Sequence, residues 1–181
     1  MRVKIGIMGT HGVGKTTLAI SLANNLKIED PTRRVELLTE VARSCPYPIN
    51  EKMTESGQRW IYHRQMLNEI EQEARCDYLI CDRTALDNLA YSSWANFRQL
   101  VSSNLSAALS WMRTYDVIYF IRPTASATAD GVRSTDDRFR MDIDEQLAHW
   151  IDYQKIQVID SRHYAHRDRP ELAVLRRTYE N

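Results

Sequence analysis

The chain has 181 residues, of which 43% are hydrophobic and 27% are charged, and 24 basic against 24 acidic side chains leave a formal net charge of zero. This composition is typical of one globular domain spanning residues 1–181. The neutral balance lacks the basic stripe of a duplex-binding protein, which argues against a nucleic-acid partner, and no apolar run reaches the ~20 residues of a membrane span.

The first predicted element is a buried strand, Val3–Met8, followed by a glycine-rich loop. Residues 9–16 read Gly-Thr-His-Gly-Val-Gly-Lys-Thr and fit the phosphate-loop pattern G-x-x-x-x-G-K-[ST] at every fixed position. Leu18, Leu22 and Leu26 then recur at the spacing of a helix face. The order of strand, loop and helix predicts binding of a nucleoside triphosphate. The residues expected to contact it are Gly9, Thr10, His11, Gly12, Val13, Gly14, Lys15, Thr16 and Thr17.

Each residue type in the loop has a physical reason. The glycines let successive backbone N–H groups point at an anion, and the helix start adds a partial positive charge. Lys15, which we expect on an exposed loop, supplies a mobile charge for the β- and γ-phosphates, and Thr16 offers a hydroxyl to Mg²⁺. We interpret His11 as a permissive position rather than a catalyst.

Three further segments complete the first half of the chain. Residues 34–39 read as a second strand that ends at Glu40. Residues 57–76 form a long helix candidate, in which Trp60, Leu67, Ile70 and Ala74 fall near one apolar face, with Glu69 off it. Residues 78–81 are a short apolar third strand, ending at Asp82-Arg83.

The second half continues the alternation of strands and helices. Two helical stretches, one beginning near residue 86 and the next at 96–113, precede a fourth strand at 116–121. A helix marked by Ile143, Leu147, Trp150 and Ile151 precedes a fifth strand at 156–159, and Pro170 suits the first turn of a final helix. This alternation predicts an α/β fold with a parallel sheet covered on both faces.

Ligands bind at the carboxyl ends of the strands in such sheets, which singles out three strand ends. Asp82, beside Thr16, would hold Mg²⁺, although an aspartate there is also a good helix N-cap. Arg83 would bind a phosphate of a second substrate, unless it makes only a surface ion pair. Glu40 would accept a proton from an attacking hydroxyl or grip a sugar hydroxyl, unless it is only a first-turn glutamate or a salt-bridge partner of Arg43.

Residues 122–142 are the candidate lid. They carry Arg133, Arg138 and Arg140 in a small-residue, glycine-containing loop, and such a loop can close over a triphosphate and neutralise charge during transfer. A solvated polar loop is the alternative. We select Arg133 as a catalytic candidate and Arg138 as a nucleotide-binding candidate.

The phosphate loop together with these strand ends resembles the P-loop nucleoside and nucleotide kinases. Asp82-Arg83, with Leu89-Ala90-Tyr91 downstream, resembles the D-R…A-Y pattern of thymidylate-kinase-like enzymes, in which the aspartate serves the metal and the arginine the acceptor phosphate. Thr84 stands where that pattern has an aromatic residue, which argues against thymidylate itself.

Two other segments resemble a related family. Residues 40–43, Glu-Val-Ala-Arg, and 130–133, Asp-Gly-Val-Arg, are similar to the E-x-A-R and D-G-x-R segments of the compact AAA-type ATP-binding domain that includes the ribosylnicotinamide kinase domain. The resemblance, which spans residues 3 to about 159, implies a three-layer fold, a five-stranded sheet ordered 2-3-1-4-5, an ATP–Mg²⁺ donor and an arginine-bearing lid.

The function expected from the residues and the resemblance is phosphoryl transfer from ATP to a nucleoside, nucleotide or related metabolite. Lys15, Glu40, Arg83 and Arg133 are the catalytic candidates. The alternative is a regulatory P-loop ATPase or nucleotide switch that acts on a protein. The expected partner is a small-molecule phosphoryl acceptor, with a homodimer left open.

We expect a cytoplasmic location for two reasons. The three cysteines, Cys45, Cys76 and Cys81, lack disulfide or zinc spacing, and the first strand begins too early to leave room for a signal peptide.

Overall fold

A computed structural model describes residues 2–123 and 137–161. In this part of the chain, five parallel strands form one sheet in the order β2-β3-β1-β4-β5, which confirms the predicted topology. The strands are β1 (Val3–Met8), β2 (Val35–Leu38), β3 (Tyr78–Asp82), β4 (Val117–Phe120) and β5 (Ile159–Asp160). The helices are α1 (Lys15–Glu29), α2 (Glu55–Glu73), α3 (Ala85–Trp94), α4 (Arg98–Met112) and α5 (Asp137–Gln154). Two short 3₁₀ helices, Val41–Ser44 and Asn50–Lys52, connect β2 to α2.

The sheet separates two hydrophobic cores. Side chains alternate between the faces of each strand, so Ile5 and Ile7 of β1 pack with Leu22 and Leu26 of α1 on one face. The opposite face packs against α3, α4 and α5 in a larger core that includes Leu79 and other buried residues. Helices on both faces cover the strands, and the result is the expected three-layer α/β arrangement.

The apolar face predicted for α2 is wrong. Leu67 and Ile70 are 44% and 53% exposed, whereas Gln65 and Glu69 are 1% and 0% exposed. The apolar pattern puts Glu69 off the buried face. The buried face of this helix is polar because it packs against Lys4, Trp111 and Tyr115, which pair with Glu69.

Glu69 is the centre of a buried polar network. Its carboxylate lies 2.8 Å from the buried Lys4 Nζ of β1. It also accepts hydrogen bonds from Trp111 Nε1 and from the Tyr115 hydroxyl, each at 2.7 Å, and from Gln65 Nε2 at 2.8 Å. A buried charge is tolerated when it is paired and hydrogen-bonded in this way. The network therefore joins β1, α2 and α4.

Some predicted boundaries differ from the structure. The fifth strand is β5, which begins at Ile159, where the prediction of 156–159 ends. Arg138 and Arg140, expected in a loop, lie in the first turn of α5. Arg133, the rest of the lid at 124–136 and the helix expected after Pro170 lie outside the described residues. No helix within residues 2–123 and 137–161 has the length and apolar character needed to cross a membrane.

Candidate active site

The phosphate loop connects β1 to α1 at the carboxyl edge of the sheet. Gly9 has a φ of 140°, and a Cβ there would collide with the carbonyl oxygen of Ile121. Gly14, with a φ of 88°, is the N-cap of α1. Both positions require a backbone that residues with side chains rarely adopt. The first backbone N–H groups of α1 therefore face the place where an anion would bind.

Lys15 is buried, with 4% of its surface exposed, which corrects the expectation of an exposed lysine. Its Nζ donates a hydrogen bond to the Thr10 carbonyl oxygen at 2.5 Å. Burial lowers the pKa of Lys15 to about 7, with a further lowering by Arg83 that Asp87 partly opposes. The lysine folds back onto its own loop, where a phosphate would give it a better partner.

Thr16 and Asp82 are adjacent, as the metal-site prediction requires. The Thr16 hydroxyl donates to Asp82 Oδ2 at 2.6 Å, and within the described residues Asp82 Oδ1 is a buried oxygen with no hydrogen-bond partner. The alternative of a helix cap is wrong, because Thr84 is the N-cap of α3. Asp82 therefore keeps one carboxylate oxygen available beside a hydroxyl.

Glu40 and Arg83 meet beside the phosphate loop. Arg83 Nε donates to Glu40 Oε1 at 2.6 Å, and Arg43 Nε donates to Glu40 Oε2 at 3.1 Å. Glu40 precedes the first 3₁₀ helix but makes no capping hydrogen bond with its side chain. The salt bridge between Glu40 and Arg43, the alternative to a functional Glu40, is present. The alternative of a surface ion pair for Arg83 is wrong, because its pair with Glu40 is buried.

The backbone of Arg83 is held in an unusual conformation. Its φ is 106°, a region that favours glycine. Gln65 donates to the Arg83 carbonyl oxygen at 3.2 Å, so the buried network around Glu69 reaches this residue. The guanidinium donates to the Gly9 carbonyl oxygen and to the Tyr91 hydroxyl, both at 3.4 Å. Arg83 therefore lies between the phosphate loop and the strand end that carries Glu40.

Asp87 is a site residue that the sequence analysis missed. Its Oδ1 accepts from the Gly9 backbone N–H at 2.8 Å, and its Oδ2 accepts from the backbone N–H and hydroxyl of Thr84 at 2.8 and 2.7 Å. Burial raises the pKa of Asp87, against the opposing effect of Arg83. The sequence signal was present, since Thr84-x-x-Asp87 matches a capping box. Asp87 thus ties α3 to the start of the phosphate loop.

His11 is also more than a permissive position. Its ring is buried, with Nδ1 3.1 Å from the Tyr91 hydroxyl and the ring centroid 5.0 Å from that of Phe139. Burial, with the nearby Arg83 and Lys15, lowers the pKa of His11 to about 4. The imidazole is therefore neutral near pH 7 and lies between the phosphate loop and α3.

The model of the AAA domain family matches residues 4–169. The chain belongs to this family. Among curated proteins, none matches the sequence.

Three solved structures show the same fold at low identity. A structure of NadR protein in complex with NR is 17% identical, with a TM-score of 0.76, and the match covers 99% of this chain and 52% of that one. Thymidylate kinase from Ehrlichia chaffeensis is 15% identical, with a TM-score of 0.62, and 99% and 97% of the two chains are covered. Deoxyadenosine kinase from M. mycoides with bound dATP is 14% identical, with a TM-score of 0.53, and 99% and 100% are covered.

These comparisons confirm the predicted resemblance to P-loop nucleoside and nucleotide kinases at the level of the fold. The chain spans about half the length of the NadR chain that it matches.

Proposed function

We propose that this protein is an ATP- and Mg²⁺-dependent kinase that transfers the γ-phosphoryl group to a nucleoside, a nucleotide or a related small metabolite. The observation that carries the proposal is the direct contact between the Glu40–Arg83 pair and the phosphate loop. Arg83 pairs with Glu40 at 2.6 Å and also donates to the Gly9 carbonyl oxygen of the phosphate loop at 3.4 Å. A second substrate held by Glu40 and Arg83 would therefore lie beside the γ-phosphate.

The residues present fit a bound magnesium ion. Mg²⁺ prefers oxygen ligands. Asp82 Oδ1, which has no hydrogen-bond partner among the described residues, and the Thr16 hydroxyl are such ligands within one small site. When bound, the ion would neutralise phosphate charge during transfer. Asp82 and Thr16 would hold it, with water completing its coordination.

Positioning and charge account for the remaining roles. Lys15 would leave the Thr10 carbonyl and pair with the β- and γ-phosphates, while the backbone N–H groups of the loop bind the other phosphate oxygens. Arg83 would hold the acceptor, and Glu40 would orient it. Asp87 connects the phosphate loop to Arg83, because its carboxylate accepts a hydrogen bond from the Gly9 N–H and lies 3.8 Å from the Arg83 guanidinium.

The test compares nucleotide binding with acceptor phosphorylation in Glu40→Gln and Arg83→Ala. We expect near-normal ATP affinity by calorimetry, because neither side chain belongs to the loop. We expect transfer to fall by about 100-fold or more, as when a positioned catalytic group is lost. Product formation is measured with a panel of nucleosides, mononucleotides and ribosylnicotinamide.

The control for this test is Arg59→Ala, which removes an exposed arginine from α2, where it pairs with Glu55. It should transfer phosphate like the wild type. Normal transfer by both Glu40→Gln and Arg83→Ala would refute the acceptor site and favour an ATPase that acts on a protein partner.

A further inference from the structure

A small cavity lies between the end of β2, helix α2, helix α3 and the phosphate loop. Its polar lining includes His11, Glu40, Arg43, Gln58, Arg83 and Asn88. Its volume is about 30 Å³, which is room for about one water. A larger ligand therefore needs the lining of this cavity to move.

Two buried nitrogens of this cavity's lining residues have no hydrogen-bond partner among the described residues. They are Nε2 of His11 and Nδ2 of Asn88, and both side chains are almost fully buried. Buried polar atoms in folded proteins are nearly always satisfied, so two unsatisfied nitrogens on residues that line one cavity call for an explanation. A bound ligand with matching groups would supply the missing partners.

The surrounding hydrogen bonds determine what kind of ligand group this is. Arg83 has only donors, so the Tyr91 hydroxyl accepts from it and has its own proton available for His11 Nδ1. In the tautomer that accepts this proton at Nδ1, the neutral imidazole carries its hydrogen on Nε2. The Asn88 side-chain nitrogen is also a donor. Both unsatisfied atoms therefore need an acceptor oxygen.

The charges around the cavity favour an anionic oxygen. Arg83, Lys15 and Arg140 act on His11 as nearby positive charges, and Glu51 opposes them more weakly. The acidic group of the cavity lining, Glu40, accepts from Arg83 through one carboxylate oxygen and from Arg43 through the other. Glu40 is thus poorly placed to take a proton from a hydroxyl acceptor, whereas a fully ionised phosphate has no proton to lose.

We propose that His11 and Asn88, the donor pair, bind the anionic oxygens of a phosphomonoester, so that the preferred acceptor is a nucleoside monophosphate or similar monophosphate. This inference rests on the proposed function and names the acceptor class. A phosphate oxygen of the acceptor forms the new bond to the γ-phosphorus. The bond from that phosphorus to the β,γ-bridging oxygen breaks, and ADP leaves with the electron pair.

The experiment uses matched acceptors and matched variants. Nucleosides are compared with their own 5′-monophosphates under saturating ATP and Mg²⁺, in the wild type, His11→Phe and Asn88→Asp. Phenylalanine keeps the packing of His11 against Phe139 but has no donor. Aspartate keeps the shape of Asn88 but replaces the donor with a negative charge.

Two control variants carry the same substitutions elsewhere. His63→Phe lies on the exposed face of α2, and Asn104→Asp lies on α4. Neither residue lines the cavity.

We expect monophosphates to be phosphorylated in preference to the matched nucleosides. Each cavity variant should raise the KM for the monophosphate by about 10- to 100-fold, the usual effect of losing a hydrogen bond to a charged group. Asn88→Asp should have the larger effect, because its charge repels the phosphate. The KM for ATP should stay at the wild-type value in Asn88→Asp, which lies outside the phosphate loop, and the kinetics of both control variants should stay at the wild-type values.

Preferred phosphorylation of nucleosides, or an unchanged KM for the monophosphate in both cavity variants, would overturn the inference. A different result, no phosphorylation of any nucleoside or monophosphate, would overturn the proposed kinase function. Calorimetry with a monophosphate and a non-hydrolysable ATP analogue then tests the donor pair alone. Binding that weakens in His11→Phe supports the pair, and absence of binding to the wild type overturns it.

Discussion

The lowered pKa of Lys15 predicts that nucleotide binding takes up a proton. With a pKa of about 7, about nine-tenths of Lys15 is neutral at pH 8 and about one-tenth at pH 6, from the ordinary titration relation. A triphosphate beside the side chain favours its charged form and raises the pKa again. Binding of Mg²⁺–ATP should therefore take up about 0.9 proton at pH 8 and about 0.1 at pH 6.

The uptake is measured by titration calorimetry in two buffers with different ionisation enthalpies at each pH. Lys15→Arg is the control, because a guanidinium stays charged in both states and should abolish the uptake at pH 8 while a cation remains in the loop. Equal uptake at both pH values, or wild-type uptake by Lys15→Arg, would refute the reasoning.

The same pKa has a consequence for the free protein. Because the pKa of Lys15 is lower in the folded than in the unfolded state, the unfolded chain binds more protons between about pH 7 and 10.5. The contribution of Lys15 to the free energy of unfolding therefore rises with pH through this window. Lys15→Met should flatten that rise in urea denaturation, whereas an unchanged slope would show that another group is responsible.

Two further substitutions test the metal site and the buried network. Asp82→Asn should raise the Mg²⁺ concentration for half-maximal activity by about tenfold or more, because an amide is a weaker ligand than a carboxylate. An unchanged Mg²⁺ titration would refute the metal role and leave Asp82 only its hydrogen bond with Thr16. Lys4→Met should lower the free energy of unfolding by about 3–5 kcal/mol, since it leaves the buried Glu69 carboxylate without its cationic partner. The double variant Lys4→Met/Glu69→Leu should recover part of that loss in urea denaturation, and strictly additive losses would show that the pair is not coupled.

The sequence alone determined the order of the elements and the place of the phosphate loop. Short apolar runs such as residues 78–81 predict buried strands, and the motif at 9–16 predicts a tight turn into a helix, because both depend on neighbouring residues in the chain. The strand-end residues Asp82 and Glu40 followed from the same local reading, since parallel strands present their carboxyl ends at one edge. The strand order itself came from the resemblance.

Only the tertiary structure decided which polar residues are buried and what they contact. Apolar spacing predicts that Leu67 and Ile70 lie on the buried face of α2. In the structure that face carries Glu69, because Lys4 and Tyr115 pack there and pair with its carboxylate. Lys15 is also buried, and its ammonium group donates to the Thr10 carbonyl oxygen of its own loop. Such contacts join residues that are distant in sequence or depend on the loop's conformation, so no pattern along the chain contains them.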